Sequence, residues 1–138
     1  MNIVLFASDK KKDLMSNFCN AYSGILSQHT LLATGATGEI LNRTTPLTTI
    51  NFLDGKIGGM EQVANRIRYN EIDMVIALVD GEYNKETDIF IADVLKACDS
   101  MNIPVSTNIG TAELLVQGLR HGDLEWREIV RNNIKENK

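Results

Sequence analysis

The sequence predicts an α/β fold built on a parallel sheet covered on both faces. Two observations predict it. Apolar runs of strand length alternate with segments of helical period, as in successive βαβ units. The run Met74-Val75-Ile76-Ala77-Leu78-Val79 is apolar throughout, as a strand buried on both sides should be.

The elements follow in order. Asn2–Ala7 reads as a buried first strand. Residues 13–26 show helical spacing through Leu14, Phe18, Tyr22 and Ile25. Thr30–Ala33 is a short second strand, followed by a short helix over 37–43. Residues 48–53 alternate and are β-branched, which predicts a third strand. Residues 58–69 are helical, with Val63 and Ile67 four apart. The fourth strand spans 74–79, a helix 88–101, a fifth short strand 104–107, and closing helices 111–119 and 123–137. The polar residues 131–138 are expected to fray. Trp126 is either a contact between copies of the chain or packs the last helix on the core.

The totals are those of one globular domain, 1–138, without repeats or linkers. The chain has 138 residues, 43% hydrophobic and 23% charged, enough to bury a core. A net charge of −4 argues against a nucleic acid polymer as partner, which would call for a basic face. The apolar N-terminal run ends at Ala7 and charged residues follow at once. It therefore reads as neither a signal peptide nor a membrane span, and a cytoplasmic location with no membrane partner is expected. Cys19 and Cys98 read as buried free thiols, with a disulfide or a reactive thiol as the alternative. With two histidines and no paired Cys/His spacing, no metal site is indicated. No cofactor is called for.

Open parallel sheets bind ligands beyond the carboxyl ends of their strands, so the loops there are the candidate site. After the first strand comes Ser8-Asp9-Lys10-Lys11-Lys12, where Asp9 suits an N-cap. The lysines are either a solvated run or reach an anion over the strand ends. After the second strand comes Thr34-Gly35-Ala36-Thr37-Gly38. Hydroxyls and helix-start N–H groups can cradle an anion there, or serve as a turn and cap. The third strand ends in Asp54-Gly55-Lys56-Ile57-Gly58-Gly59, a tight turn in which Asp54 either caps or points into the same cleft. A long polar loop from Asp80 to Asp88 follows the fourth strand. Thr111 looks like the cap of the helix after the fifth.

Four stretches together resemble the methylglyoxal synthase-like domain family. They are Asp9 with Lys12, Ala33-Thr34-Gly35-Ala36-Thr37-Gly38, Asp54-Gly55-Lys56-Ile57-Gly58-Gly59-Met60-Glu61-Gln62-Val63, and Asn102-Ile103-Pro104-Val105-Ser106-Thr107-Asn108. Their order and spacing match, and the similarity covers almost the whole chain. The resemblance implies a three-layer α/β/α fold with a doubly wound five-stranded parallel sheet. It also implies an anion pocket at the strand ends and a homo-oligomer, often a hexamer. The family's enzyme takes dihydroxyacetone phosphate, removes a proton next to the carbonyl and eliminates phosphate. That chemistry calls for a carboxylate base and for neutral or positive groups around the phosphate.

By this resemblance Lys12 is a phosphate lysine, Thr34 and Thr37 are phosphate-binding threonines, and Gly55 is a phosphate-contacting glycine. Asp9, Asp80 and Asp88 match acidic positions. Other positions depart from the pattern. Ala36 replaces a threonine, Ser8 a histidine and Asp54 a serine. Met60 replaces the catalytic aspartate, and Lys85 lies closest to the place of the catalytic histidine. An Asp54 carboxylate facing a phosphate would be repelled, since like unit charges ~4 Å apart interact by roughly 4 kcal/mol at an effective dielectric of 20.

These departures lead to the expectation of a non-catalytic binder of a small phosphorylated or nucleotide-like metabolite, acting as sensor, regulator or sequestering sponge. Its ligand contacts would come from Ser8, Asp9, Lys12, Thr34, Ala36, Thr37, Gly38, Asp54, Gly55, Met60, Asp80 and Lys85. The alternative is the family's lyase reaction with displaced catalytic groups drawn from Asp9, Glu61 and Asp80. A purely structural role with a vestigial pocket is the third reading.

Overall fold

The computed structural model describes residues 1–54, 58–81 and 85–136; the side chains of 85–90 and 133–136 lie outside the described set. The elements are β1 (Asn2–Ala7), a 3-10 turn (Asp9–Lys11), α1 (Lys12–Ala21), α2 (Ser23–Leu26), β2 (Thr30–Ala33), α3 (Gly35–Thr44) and β3 (Ile50–Asn51). They continue with α4 (Gly59–Arg68), β4 (Met74–Leu78), α5 (Lys85–Met101), β5 (Val105–Ser106), α6 (Ile109–Arg120) and α7 (Glu125–Glu136). Five parallel strands form one sheet in the order β3-β2-β1-β4-β5.

Strand alternation divides the core into two layers. Ile3, Leu5 and Ala7 of β1, with Met74, Ile76 and Leu78 of β4, pack against Met15, Phe18, Cys19, Leu26, Ala112 and Val116. Val4 of β1, with Val75 and Ala77 of β4, packs on the other face against Val63, Ile67, Ile91, Val94 and Cys98. The sheet thus lies between helical layers, as expected. All five β4 residues are buried, which accounts for that strand's unbroken apolar run. Cys19 and Cys98 are free and buried, and burial pushes both thiols up to about 12.

The structure moves several predicted boundaries. The helix expected over 13–26 breaks at Tyr22 (φ −109°, ψ 20°), where Ser23 and Gly24 are weak helix formers. The third strand is only Ile50–Asn51. Thr49 N–H is taken by Asn42 Oδ1 at 3.0 Å and Leu53 N–H by Gln62 Oε1 at 2.7 Å, so side chains bound this edge strand. The cap of α6 is Asn108, not Thr111: Asn108 Oδ1 accepts the Thr111 N–H at 3.1 Å. Nor does Asp9 cap a helix; it opens the 3-10 turn with no side-chain cap bond at its start.

Gly58 and Gly59 set the entry to α4. Gly58 has φ +108°, a region side chains disfavour. A Cβ on Gly59 would lie 2.0 Å from the Leu53 carbonyl oxygen, so the helix start can approach the backbone just after β3 this closely only as glycine.

The opposite, N-terminal edge of the sheet is closed by charge. Asp73 is fully buried and accepts the Asn2 N–H at 2.8 Å. Arg127 Nε donates to its carboxylate at 3.3 Å, and the Arg131 guanidinium also reaches it. Arg127 additionally donates to the carbonyls of Asn102 and Ile72. The expected fraying at residue 131 is corrected by this contact. Trp126 is half exposed on α7. No helix among the described residues is long and apolar enough to cross a membrane.

Candidate functional site

The sheet order makes β1 and β4 the neighbours at which the winding direction reverses. In such sheets the crevice beyond these two strand ends is where ligands bind. The loops leaving β1 and β4 meet there. Ser8 N–H donates to the Leu78 carbonyl at 3.0 Å, and Asp80 N–H donates to Ser8 Oγ at 3.1 Å.

Lys12 opens α1, and its side chain folds back over the end of β1. Its ammonium donates to the Ala7 carbonyl at 2.9 Å and to Asp9 Oδ1 at 3.1 Å. The lysine side chain is 14% exposed and the Asp9 side chain 71% exposed, so the pair has a protected cationic end and a wet anionic end. Across the crevice Lys10 Nζ lies 3.7 Å from Asp80 Oδ2. The side chain of Asp80 is 25% exposed. Two lysines and two aspartates therefore flank the switch point. Lys10 was not singled out in the sequence; its place within the run of three lysines was the only signal.

The Thr34–Gly38 turn stands beside them. Thr34 precedes α3 in an extended conformation (φ −65°, ψ 153°). Both threonine hydroxyls are buried: Thr34 donates to Thr37 Oγ1 at 3.3 Å, and Thr37 Oγ1 accepts the Ala7 N–H at 3.2 Å. The Thr37 hydroxyl thus ties the start of α3 to the end of β1, and the Thr34 hydroxyl holds it from the N-cap side. The N–H groups of Ala36 and Thr37 belong to the first turn of α3, where no carbonyl inside the helix can accept them. Gly38 faces β3: a Cβ there would lie 1.9 Å from Asn51 Oδ1. Asp54 sits on the rim, its backbone N 3.2 Å from where a Gly35 Cβ would be, and its carbonyl accepts the Gly59 N–H at 2.9 Å.

Met60 and Glu61 differ from the polar group. Met60 is buried, lining a small apolar cavity with Val4, Phe6, Ala77, Val94 and Thr107. Its neighbours there are mainly apolar side chains. Glu61 is exposed on α4, adjacent in sequence but turned about 100° around the helix. Gly55 and Tyr83 lie outside the described residues, as do the side chains of Lys85 and Asp88.

An all-parallel sheet whose winding reverses between β1 and β4 defines a doubly wound α/β protein, with charged groups gathered over the switch point. More narrowly, the chain belongs to the MGS-like domain family, whose model matches residues 15–107. It is 49% identical to a methylglyoxal synthase of Caldicellulosiruptor saccharolyticus, over all of this chain and 98% of that one. It is 43% identical to a methylglyoxal synthase of Listeria innocua, over 96% of this chain and 99% of that one. The crystal structure of methylglyoxal synthase from Elizabethkingia anophelis superposes with a TM-score of 0.74 and 28% identity, covering 83% of this chain and 76% of that one.

These relatives overturn the expectation of a non-catalytic binder and the leaning away from an enzyme. The substitutions at Met60 and near Lys85 led to that expectation. Yet relatives 43–49% identical over nearly their whole length carry an enzyme's name. Identity spread over a whole fold weighs more than two side chains. Lys12, Asp9 and Asp80 remain gathered at the strand ends although those single positions differ.

Proposed function

We propose that the chain is a lyase that converts dihydroxyacetone phosphate to methylglyoxal and inorganic phosphate. The observation supporting this reading is the meeting of Lys12, Asp9 and the Ser8-bonded Asp80 at the ends of β1 and β4, in a chain so similar to enzymes of that name.

The substrate phosphate is held by the Lys12 ammonium and by the first-turn N–H groups of α3, where the helix dipole favours an anion. The Asp80 carboxylate removes a proton from the hydroxymethyl carbon next to the carbonyl. Asp80 suits this better than Asp9, which is largely exposed. The C–H electrons pass to the carbonyl oxygen as an enediolate. As the hydroxyl on that carbon gives up its proton to the phosphate or to solvent and becomes the aldehyde, the double bond shifts and breaks the carbon–oxygen bond to phosphate, which leaves with the bonding pair. The resulting enol tautomerises to methylglyoxal. Lys12 offsets charge on the departing phosphate, a contribution largest in a water-poor site.

The test is incubation of the pure protein with dihydroxyacetone phosphate, with methylglyoxal and inorganic phosphate measured together. The expected result is equal release of both, with Asp80→Asn lowering kcat by about 10²–10⁴-fold, the usual worth of a positioned base. Release no faster than in a protein-free control would overturn the reading.

A further inference from the structure

We propose that Ser8 is a positioning residue that holds Asp80 at the switch point, an inference that rests on the lyase reading above. The paired register of β1 and β4 ends at Ala7 and Leu78. Ser8 extends the connection past that point in two ways. Its N–H donates to the Leu78 carbonyl at 3.0 Å, and its Oγ accepts the Asp80 N–H at 3.1 Å. The serine is itself fixed from its own side, because its carbonyl accepts the Lys11 N–H at 2.8 Å.

The side-chain bond therefore falls on the backbone of the residue whose carboxylate takes the proton. Removing Oγ takes away a backbone restraint on Asp80. A displacement of about 1 Å at a reacting group can cost roughly 100-fold in rate. The serine backbone is extended (φ −60°, ψ 157°), a conformation open to threonine and alanine alike. Substitution there changes the hydroxyl while keeping the backbone.

The experiment compares Ser8→Ala, Ser8→Thr and Ser8→Cys in the full chain by steady-state kinetics and by hydrogen exchange of the Asp80 amide. Ser8→Ala should speed that exchange and lower kcat about 10- to 100-fold, with KM changed by less than about threefold. Ser8→Thr, which keeps an acceptor oxygen, should restore both. Ser8→Cys, with a weaker acceptor, should fall between. A folded Ser8→Ala with unchanged kcat, or with unchanged Asp80 exchange, would overturn the role of Ser8 while an active wild type leaves the lyase reading standing. A wild type without turnover would overturn both.

Discussion

Lys12 concentrates much of what the site can do. Among the described residues its ammonium has two acceptors, the Ala7 carbonyl and the Asp9 carboxylate, against three N–H directions in all. The buried stem fixes the ammonium over the strand ends, whereas an exposed lysine would lose more rotamer freedom on binding. A hydrogen bond to a charged group is worth about 1.5–3 kcal/mol. Lys12→Ala is therefore expected to raise KM for dihydroxyacetone phosphate by about 10- to 100-fold, with a smaller loss in kcat. Initial rates across a substrate series check this. An unchanged KM would move the phosphate site away from β1.

At the scale of elements, the entry to α4 is the closest approach of a described glycine to another stretch of backbone. The Gly59 Cα approaches the Leu53 carbonyl so closely that an added methyl would lie 2.0 Å from it. The obstacle is backbone, which cannot swing aside. Gly24, in α2, has nothing within 4 Å of an added Cβ. Gly59→Ala is expected to cost about 1–3 kcal/mol by displacing the start of α4. Gly24→Ala should be neutral or stabilise by up to about 1 kcal/mol, as an open helical site gains propensity. Urea titrations of the two variants give the comparison. A Gly59→Ala protein as stable as wild type would mean that α4 can shift freely against β3.

For the molecule as a whole, the two ends of the sheet do different work. The carboxyl ends carry the lysines and aspartates of the site, partly open to solvent. The other end carries Asp73, with Arg127 and Arg131 closing over it. Asp73 is fully buried and the Arg127 side chain is 6% exposed. Removing one partner of such a pair leaves charge without full compensation, typically costing 3–5 kcal/mol. Arg127→Ala is expected to destabilise by about 3 kcal/mol, the low end of that range, because Arg131 still reaches the carboxylate. The change should appear as a lower denaturation midpoint at constant m value.

The sequence by itself determined the parallel α/β fold and the family, and it marked out the loops of the candidate site. These are legible because periodicity and turn chemistry act between near neighbours. The Lys12–Asp9 pair is local too, one turn apart, and the Thr34–Gly38 turn announced itself by composition. The edge strand β3 came out shorter than its alternation suggested, because Asn42 and Gln62 capture its flanking N–H groups. The tertiary structure decided that the Thr37 hydroxyl ties α3 to β1, and that Met60 belongs to the apolar layer. It also decided the pairing of Ser8 with Asp80, 72 residues apart, and of Asp73 with Arg127, 54 apart. Such contacts depend on strand order and register, which bring distant residues within hydrogen-bonding reach and leave no trace in local spacing.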